Sequence, residues 1–116
     1  MFPHPDLVEA RLVEAAPLFA ALGDETRVRV VARLCREGPS SITSLSLGSG
    51  VTRQAITKHI QALSKAGLVQ VRASGRERVC ELAPGRLALA QRCLAEISGK
   101  WDEAIGRLRT LVEGES

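Results

Sequence analysis

The sequence predicts a mainly α-helical unit carrying one small β-hairpin, in the order helix, helix, helix, helix, strand, strand, helix. Three observations predict it. Apolar residues recur at three- and four-residue steps through most of the chain, the spacing that gathers them on one side of a helix. Residues 68–82 depart from that spacing: two short β-prone runs flank Ser74-Gly75, the pattern of two strands joined by a tight turn. The chain has 116 residues, 45% of them apolar and 25% charged, which suits one folded unit around one core and excludes disordered and collagen-like chains.

Residues 6–22 interleave charges with Leu7, Val8, Leu12, Val13, Leu18, Phe19 and Leu22, a first helix that Pro17 is expected to kink or split. Gly23 ends it, and Asp24 supplies the cap oxygen of a second helix. There Val28, Val31, Leu34 and Cys35 form the apolar stripe, and Gly38-Pro39 stops the helix. Ser40 or Ser41 caps a short third helix bearing Ile42, Leu45 and Leu47, which runs out at Gly48-Ser49-Gly50.

Thr52 caps a fourth helix in which Ile56, Ile60 and Leu63 make the buried stripe and Gly67 takes the position just past the end. The opposite side of that helix is wholly polar, with Arg53, Gln54, Thr57, Lys58 and Gln61. Strands Leu68–Ala73 and Arg76–Leu82 follow, with Val69, Val71, Cys80 and Leu82 on one face and Arg72 opposite Glu77 on the other.

Pro84 suits the first position of a last helix reaching about residue 113. Leu87, Leu94, Trp101 and Leu108 recur every seven residues, with Ala90, Ile97, Ala104 and Leu111 three further on. So long a seam exceeds what a small monomer core requires and predicts a partner helix. The other reading, packing only within its own domain, stays open because Gly99 and Gly106 weaken the helix.

Charge is segregated along the chain. Residues 27–80 carry ten Lys or Arg against two acids, a charge of +8, whereas the flanks carry six bases against eleven acids, or −5. Such a division predicts that the middle meets a polyanion. No run reaches the ~20 apolar residues of a membrane span, and the start has no basic stretch followed by an apolar one. The chain is expected to stay in the cytosol with no membrane partner. Cys35, Cys80 and Cys93 are odd in number and widely spaced, which fits reduced thiols better than a disulfide framework.

Helices two to four followed by a hairpin make a winged helix-turn-helix. Within a single domain, 1–116, the helix-turn-helix occupies about 40–66, the wing about 68–82 and the terminal helix about 84–113. The polar side of the fourth helix has what a DNA major groove requires. Arg53 can fork onto guanine, Gln54 can pair with adenine and Thr57 can meet a thymine methyl. Lys58, Lys65 and the hydroxyls of Ser40, Ser41 and Thr52 are expected on phosphates. Arg76 and Arg78 of the wing are expected on a minor groove or the adjacent backbone. Of Arg27, Arg29, Arg33 and Arg36 on the second helix, only some can be exposed beside an apolar stripe.

LFAALGDETRVRVVARL (18–34), VTRQAITKHIQALSKAGLV (51–69), the Gly-Arg-Glu-Arg-Val of the wing and WDEAIGRLRTLVE (101–113) together resemble the ArsR/SmtB family of bacterial winged-helix regulators. The resemblance spans residues 18–113. It implies a homodimer formed through the first and last helices, binding an imperfect palindrome in a promoter and usually repressing transcription. It also implies that Thr52–Lys65 is the recognition helix and 68–82 the wing. Metal-sensing members carry a Cys-x-Cys cluster near the third helix or a His/Asp/Glu set on the last. Here the third helix reads SITSLSLGSG and the last has no histidine, so neither metal nor other cofactor is expected, and the sequence names no small-molecule effector.

Cys35 and Cys80 read as small buried hydrophobes, and Cys93, at the edge of the seam, makes a thiol switch only if exposed. His4 falls in a loose tail, and His59 either donates to a phosphate or packs at the helix flank. An enzyme would need a nucleophile beside a base, paired carboxylates or a cofactor loop, and the Gly-x-Gly at 48–50 lacks the strand and third glycine of a dinucleotide loop. The rival to a sequence-specific regulator is a winged helix used for protein contact or non-specific nucleic-acid binding.

Overall fold

A computed structural model describes residues 7–114. His4 lies outside the described residues. The elements are α1 (Leu7–Ala21), α2 (Glu25–Glu37), β1 (Ser40–Ser41), α3 (Ile42–Ser46), α4 (Arg53–Lys65), β2 (Val69–Ser74), β3 (Glu77–Leu82) and α5 (Pro84–Gly114). The expected order of helices and hairpin is thus present, with one addition: Ser40–Ser41 joins the hairpin as a third antiparallel strand, in the order β1-β3-β2. Ser40 pairs with Cys80 and Ser41 with Val79, which bolts the start of the helix-turn-helix to the wing.

α1 continues through Pro17 and is not split. The carbonyl that loses its donor belongs to Val13, whose side chain is 68% exposed, so solvent can satisfy it while Ala15, Leu18 and Ala21 remain buried on the other face. Asp24 caps α2 by accepting the Arg27 backbone N–H at 3.1 Å. The stripe of α2 is rotated from the one the sequence suggested: Val30 and Leu34 are buried, Val31 lies beside them, and Val28 and Cys35 are exposed. Likewise Ile42 and Leu45 of α3 are buried but Leu47 is not, because α3 ends at Ser46 and Leu47 already belongs to the turn.

Ser41 Oγ accepts Ser44 N–H to start α3, and Thr52 Oγ1 accepts Ala55 N–H to start α4. Ile56, Ile60 and Leu63 are at most 1% exposed, as expected. α4 stops in a Schellman arrangement: Leu68 N–H donates to Leu63 O and Gly67 N–H to Ser64 O, each at 3.0 Å, with Gly67 at φ 83°.

The hairpin register differs from expectation. Ser74 pairs with Glu77 and Arg72 with Val79, so the two-residue loop is Gly75-Arg76, with Gly75 at φ 62° and Arg76 without positive φ. Glycine first is the preference of a type II′ turn, whose twist matches the strands. The slip along β3 is two residues, which keeps the faces of the pleat. Val69, Val71, Cys80 and Leu82 therefore still share the inner face.

α5 is one unbroken helix despite Gly99 and Gly106. Its first turns bury Leu89, Ala90 and Cys93 and pack chiefly on α1, and Leu87 sits against the same core. Cys93 is buried, its Sγ 3.6 Å from Arg11 O, not at the edge of an exposed seam. Beyond it the helix projects: 31 residues make about 46 Å of helix, along a molecule 68 Å in its longest extent. Among the described residues no helix is long and apolar enough to cross a membrane.

Replacing fully buried Leu63 by Ala is expected to cost about 2–5 kcal/mol. Leu47→Ala, at a side chain 68% exposed, is expected to stay within ~0.5 kcal/mol. Urea denaturation followed by circular dichroism measures both.

Candidate nucleic-acid interface

The interface is built on α4, because burying Ile56, Ile60 and Leu63 leaves Arg53, Gln54, Lys58 and Gln61 exposed on the other side. These four and Thr57 line one shallow surface. The hydroxyl of Thr57 donates to Arg53 O at 2.9 Å, which spends its proton on the helix. Among the described residues, Arg53, Lys58 and Lys65 make no hydrogen bond or ion pair through their side chains. The α4 N-terminus adds its own positive end to the same surface.

The wing contributes on two sides. Arg76 occupies the turn and is exposed. Arg78 lies on the strand face that turns toward α4, where it shares a groove of about 330 Å³ with Thr57, Gln61 and Lys65 over a floor of Ile60 and Val71. Both arginines lack partners among the described residues. Arg72 faces the other way and is held 3.5 Å from Glu81, not opposite Glu77. Gln61 is the residue of this surface to which sequence reasoning gave no role. Its spacing carried the signal, four residues after Thr57 and seven after Gln54, one helical face throughout.

The hydroxyls expected on phosphates are in different states. Ser41 and Thr52 each accept a backbone N–H and keep their protons for an outside acceptor. Ser40 donates its proton to Gly38 O at 3.0 Å, so it has none left to offer a phosphate in this conformation.

Three of the four α2 arginines are engaged within the fold. Arg29 pairs with Glu25 at 2.6 Å and Arg33 with Glu37 at 2.9 Å; Arg33 also donates to Ser44 Oγ and Leu47 O in the α3–α4 corner. Arg27 reaches inward to Ala21 O and His59. Arg36 alone of the four has no partner among the described residues.

The two buried thiols, Cys80 and Cys93, offer little chemistry. Burial pushes Cys80 up to about 11, with the Glu81 charge adding to it, which keeps it protonated and inert. The carboxyl of Asp24 is held below the usual carboxylate range, first by the hydrogen bond from Arg27 N–H and further by the positive charge of Arg27. No group of three or more His, Cys, Asp or Glu among the described residues is placed to hold a metal ion.

Comparison with known proteins agrees with this geometry. A model described as a helix-turn-helix domain matches residues 22–72, from the end of α1 into β2. The HTH-type transcriptional regulator Rv2034 of Mycobacterium tuberculosis is 33% identical over 95 residues, covering 82% of this chain and 85% of that protein. Among solved structures, an ArsR-like transcriptional regulator from Rhodococcus sp. RHA1 superposes with a TM-score of 0.73 at 35% identity, covering 88% of this chain and 95% of that one. A homodimeric winged helix-turn-helix DNA-binding domain from Mycobacterium bovis, at 24% identity and a TM-score of 0.62 over 89% of this chain and 92% of that one, shares the fold.

The angle between α4 and the wing hangs on Gly67, where a Cβ would stand 2.8 Å from Arg86 Cγ on a backbone at φ 83°. Gly67→Ala is expected to lower the unfolding free energy by roughly 1–2 kcal/mol, read as a lowered denaturation midpoint.

Proposed function

The chain belongs to the ArsR family of helix-turn-helix transcriptional regulators, and on that premise we propose that it acts as a dimeric repressor that recognises an imperfect palindrome in promoter DNA. The whole chain works as one unit in the cytosol, without a cofactor. The observation that carries the reading is the exposed face of α4, where side chains able to read bases stand beside cations without a partner among the described residues.

On this reading Arg53, Gln54 and Thr57 face base edges, and Gln61 extends the same row toward the wing. Thr57 meets a thymine methyl, which its inward-bonded hydroxyl supports. Lys58, Lys65, Ser41 and Thr52 hold phosphates and set the register; Ser40 joins them only by giving up its bond to Gly38. Arg76 reaches outward from the wing tip, and Arg78 follows the strand that passes the groove between α4 and the wing.

Dimer formation is supported by the projecting part of α5. Leu94, Trp101, Ile105, Leu108, Leu111 and Val112 are each 46–73% exposed, an apolar run too large to leave in water. The seam begins at Leu94, since Leu87 is taken up by its own core. A second copy brings a second α4, and two linked reading helices bind half-sites about one helical turn apart far more tightly than one.

In titrations at fixed salt, Arg53→Ala or Gln54→Ala is expected to lose about 1–3 kcal/mol of discrimination between the preferred duplex and a scrambled one. Lys58→Ala is expected to weaken both duplexes alike and to lower the salt slope by about one. Unchanged affinity in all three variants would show that α4 does not read DNA.

Trp101→Glu or Leu108→Glu is expected to give monomers that lose tight binding. Sedimentation velocity reads the assembly directly, and an unaltered dimer in both variants places the subunit contact elsewhere.

A further inference from the structure

α4 is anchored to the fold by more than its apolar stripe. Arg27 of α2 donates from Nε to His59 Nδ1 of α4 at 3.3 Å and from a terminal nitrogen to Ala21 O, the last residue of α1, at 3.2 Å. Asp24 accepts the Arg27 backbone N–H at 3.1 Å and lies 3.7 Å from His59 Nδ1. One guanidinium therefore joins the end of α1, the start of α2 and the middle of α4. The cluster is partly sheltered, with the His59 side chain 23% exposed and that of Asp24 39%.

We propose that Arg27 and His59 are positioning residues for DNA reading: their forked tether fixes the rotational setting of α4, and with it where Arg53, Gln54 and Thr57 fall in the groove. The inference rests on the reading of α4 given above. Burial of Ile56, Ile60 and Leu63 is non-directional and resists small rotations weakly. A rotation of 10° moves the surface of a helix about 1 Å, enough to spoil a bidentate contact to a base edge. Directional bonds at His59, adjacent to Lys58 and on the flank of the helix, oppose that rotation. The same fork ties α4 to the end of α1, the helix on which α5 packs, so the setting of the reading helix is referred to the element that carries the proposed dimer seam.

This assignment differs from the direct alternatives, in which Arg27 or His59 itself meets a phosphate. The Nε of Arg27 and one of its terminal nitrogens point inward, and His59 turns its Nδ1 to the same cluster, away from an outside phosphate. A lysine at 27 keeps the charge but lacks the fork. An asparagine at 59 offers an acceptor close to the position of Nδ1.

The test compares Arg27→Lys, Arg27→Met, His59→Asn, His59→Leu and the double variant Arg27→Met/His59→Leu in the full-length protein. Each binds the duplex that the wild-type protein enriches from a randomised pool, and a scrambled duplex of equal length, across a salt series. Circular dichroism and sedimentation confirm that the compared samples are folded and equally assembled.

Arg27→Met, Arg27→Lys and His59→Leu are expected to lose about tenfold in affinity for the enriched duplex, with scrambled-duplex binding and salt slope unchanged. The double variant is expected to be no worse than either single one, and His59→Asn is expected to stay within about twofold of wild type. Full activity in Arg27→Lys together with a salt slope lowered by about one in Arg27→Met would make Arg27 a phosphate contact and overturn the proposal. So would additive losses in the double variant, or no loss in any variant. If the wild-type protein enriches no duplex, or Arg53→Ala is without effect, the reading of α4 itself falls. A sensitive Arg53 with an insensitive Arg27 sinks only the tether.

Discussion

The burial of Ile56, Ile60 and Leu63 is the constraint on which the rest of the molecule depends. These side chains meet the core that Leu18, Leu34, Leu45, Leu68 and Cys80 complete, and they fix which side of α4 is left in water. Because a helix has only one circumference, the depth of that stripe dictates the polarity of the opposite face. Arg53, Gln54, Lys58 and Gln61 are exposed as a consequence of three apolar residues at the right spacing. The caps then fix the ends: Thr52 starts the helix and the bonds at Gly67 and Leu68 stop it, so both its length and the departure of the wing are set locally.

Local determination explains what was legible in the sequence. α4, its caps, its polar face and the inner face of the hairpin are all written in near neighbours, and the structure repeats them. The faces of the hairpin survive even though its loop is Gly75-Arg76 and not Ser74-Gly75, since a slip of two residues does not invert a pleat. The strand at Ser40–Ser41 is different. Two serines carry no strand signal, and their pairing with Val79 and Cys80 depends on where a segment about forty residues later comes to rest.

The rotation of α2 was hidden for a related reason. Val28, Val30, Val31, Leu34 and Cys35 allow two stripes, and the one actually used, through Val30 and Leu34, brings Arg27 to the partly buried side. A charged residue there looks unfavourable from sequence, because burying a charge without partners costs heavily. Its partners exist, but they are the end of α1 and a histidine 32 residues further on. The Arg27 contacts were unreadable for the same reason that they are informative: they are non-local and join three helices.

Charge segregation acquires a structural meaning in this arrangement. On α2, Arg29 is neutralised by Glu25 and Arg33 by Glu37, whereas Arg36 and the cations on α4 and at the wing tip have no partner among the described residues. An unpaired surface cation is strongly hydrated and contributes little to folding, so a row of them on one side of a small domain raises self-repulsion without stabilising it. Such a row is tolerable where an external polyanion supplies the missing charge. The flanks, net negative in sequence, carry the apolar run of α5 instead. If two copies associate there, as proposed, the +8 segment of each is kept away from the contact, and bringing the protomers together does not require bringing their most cationic surfaces together. Assembly and DNA reading then draw on separate parts of the chain, joined through α1 and the guanidinium of Arg27.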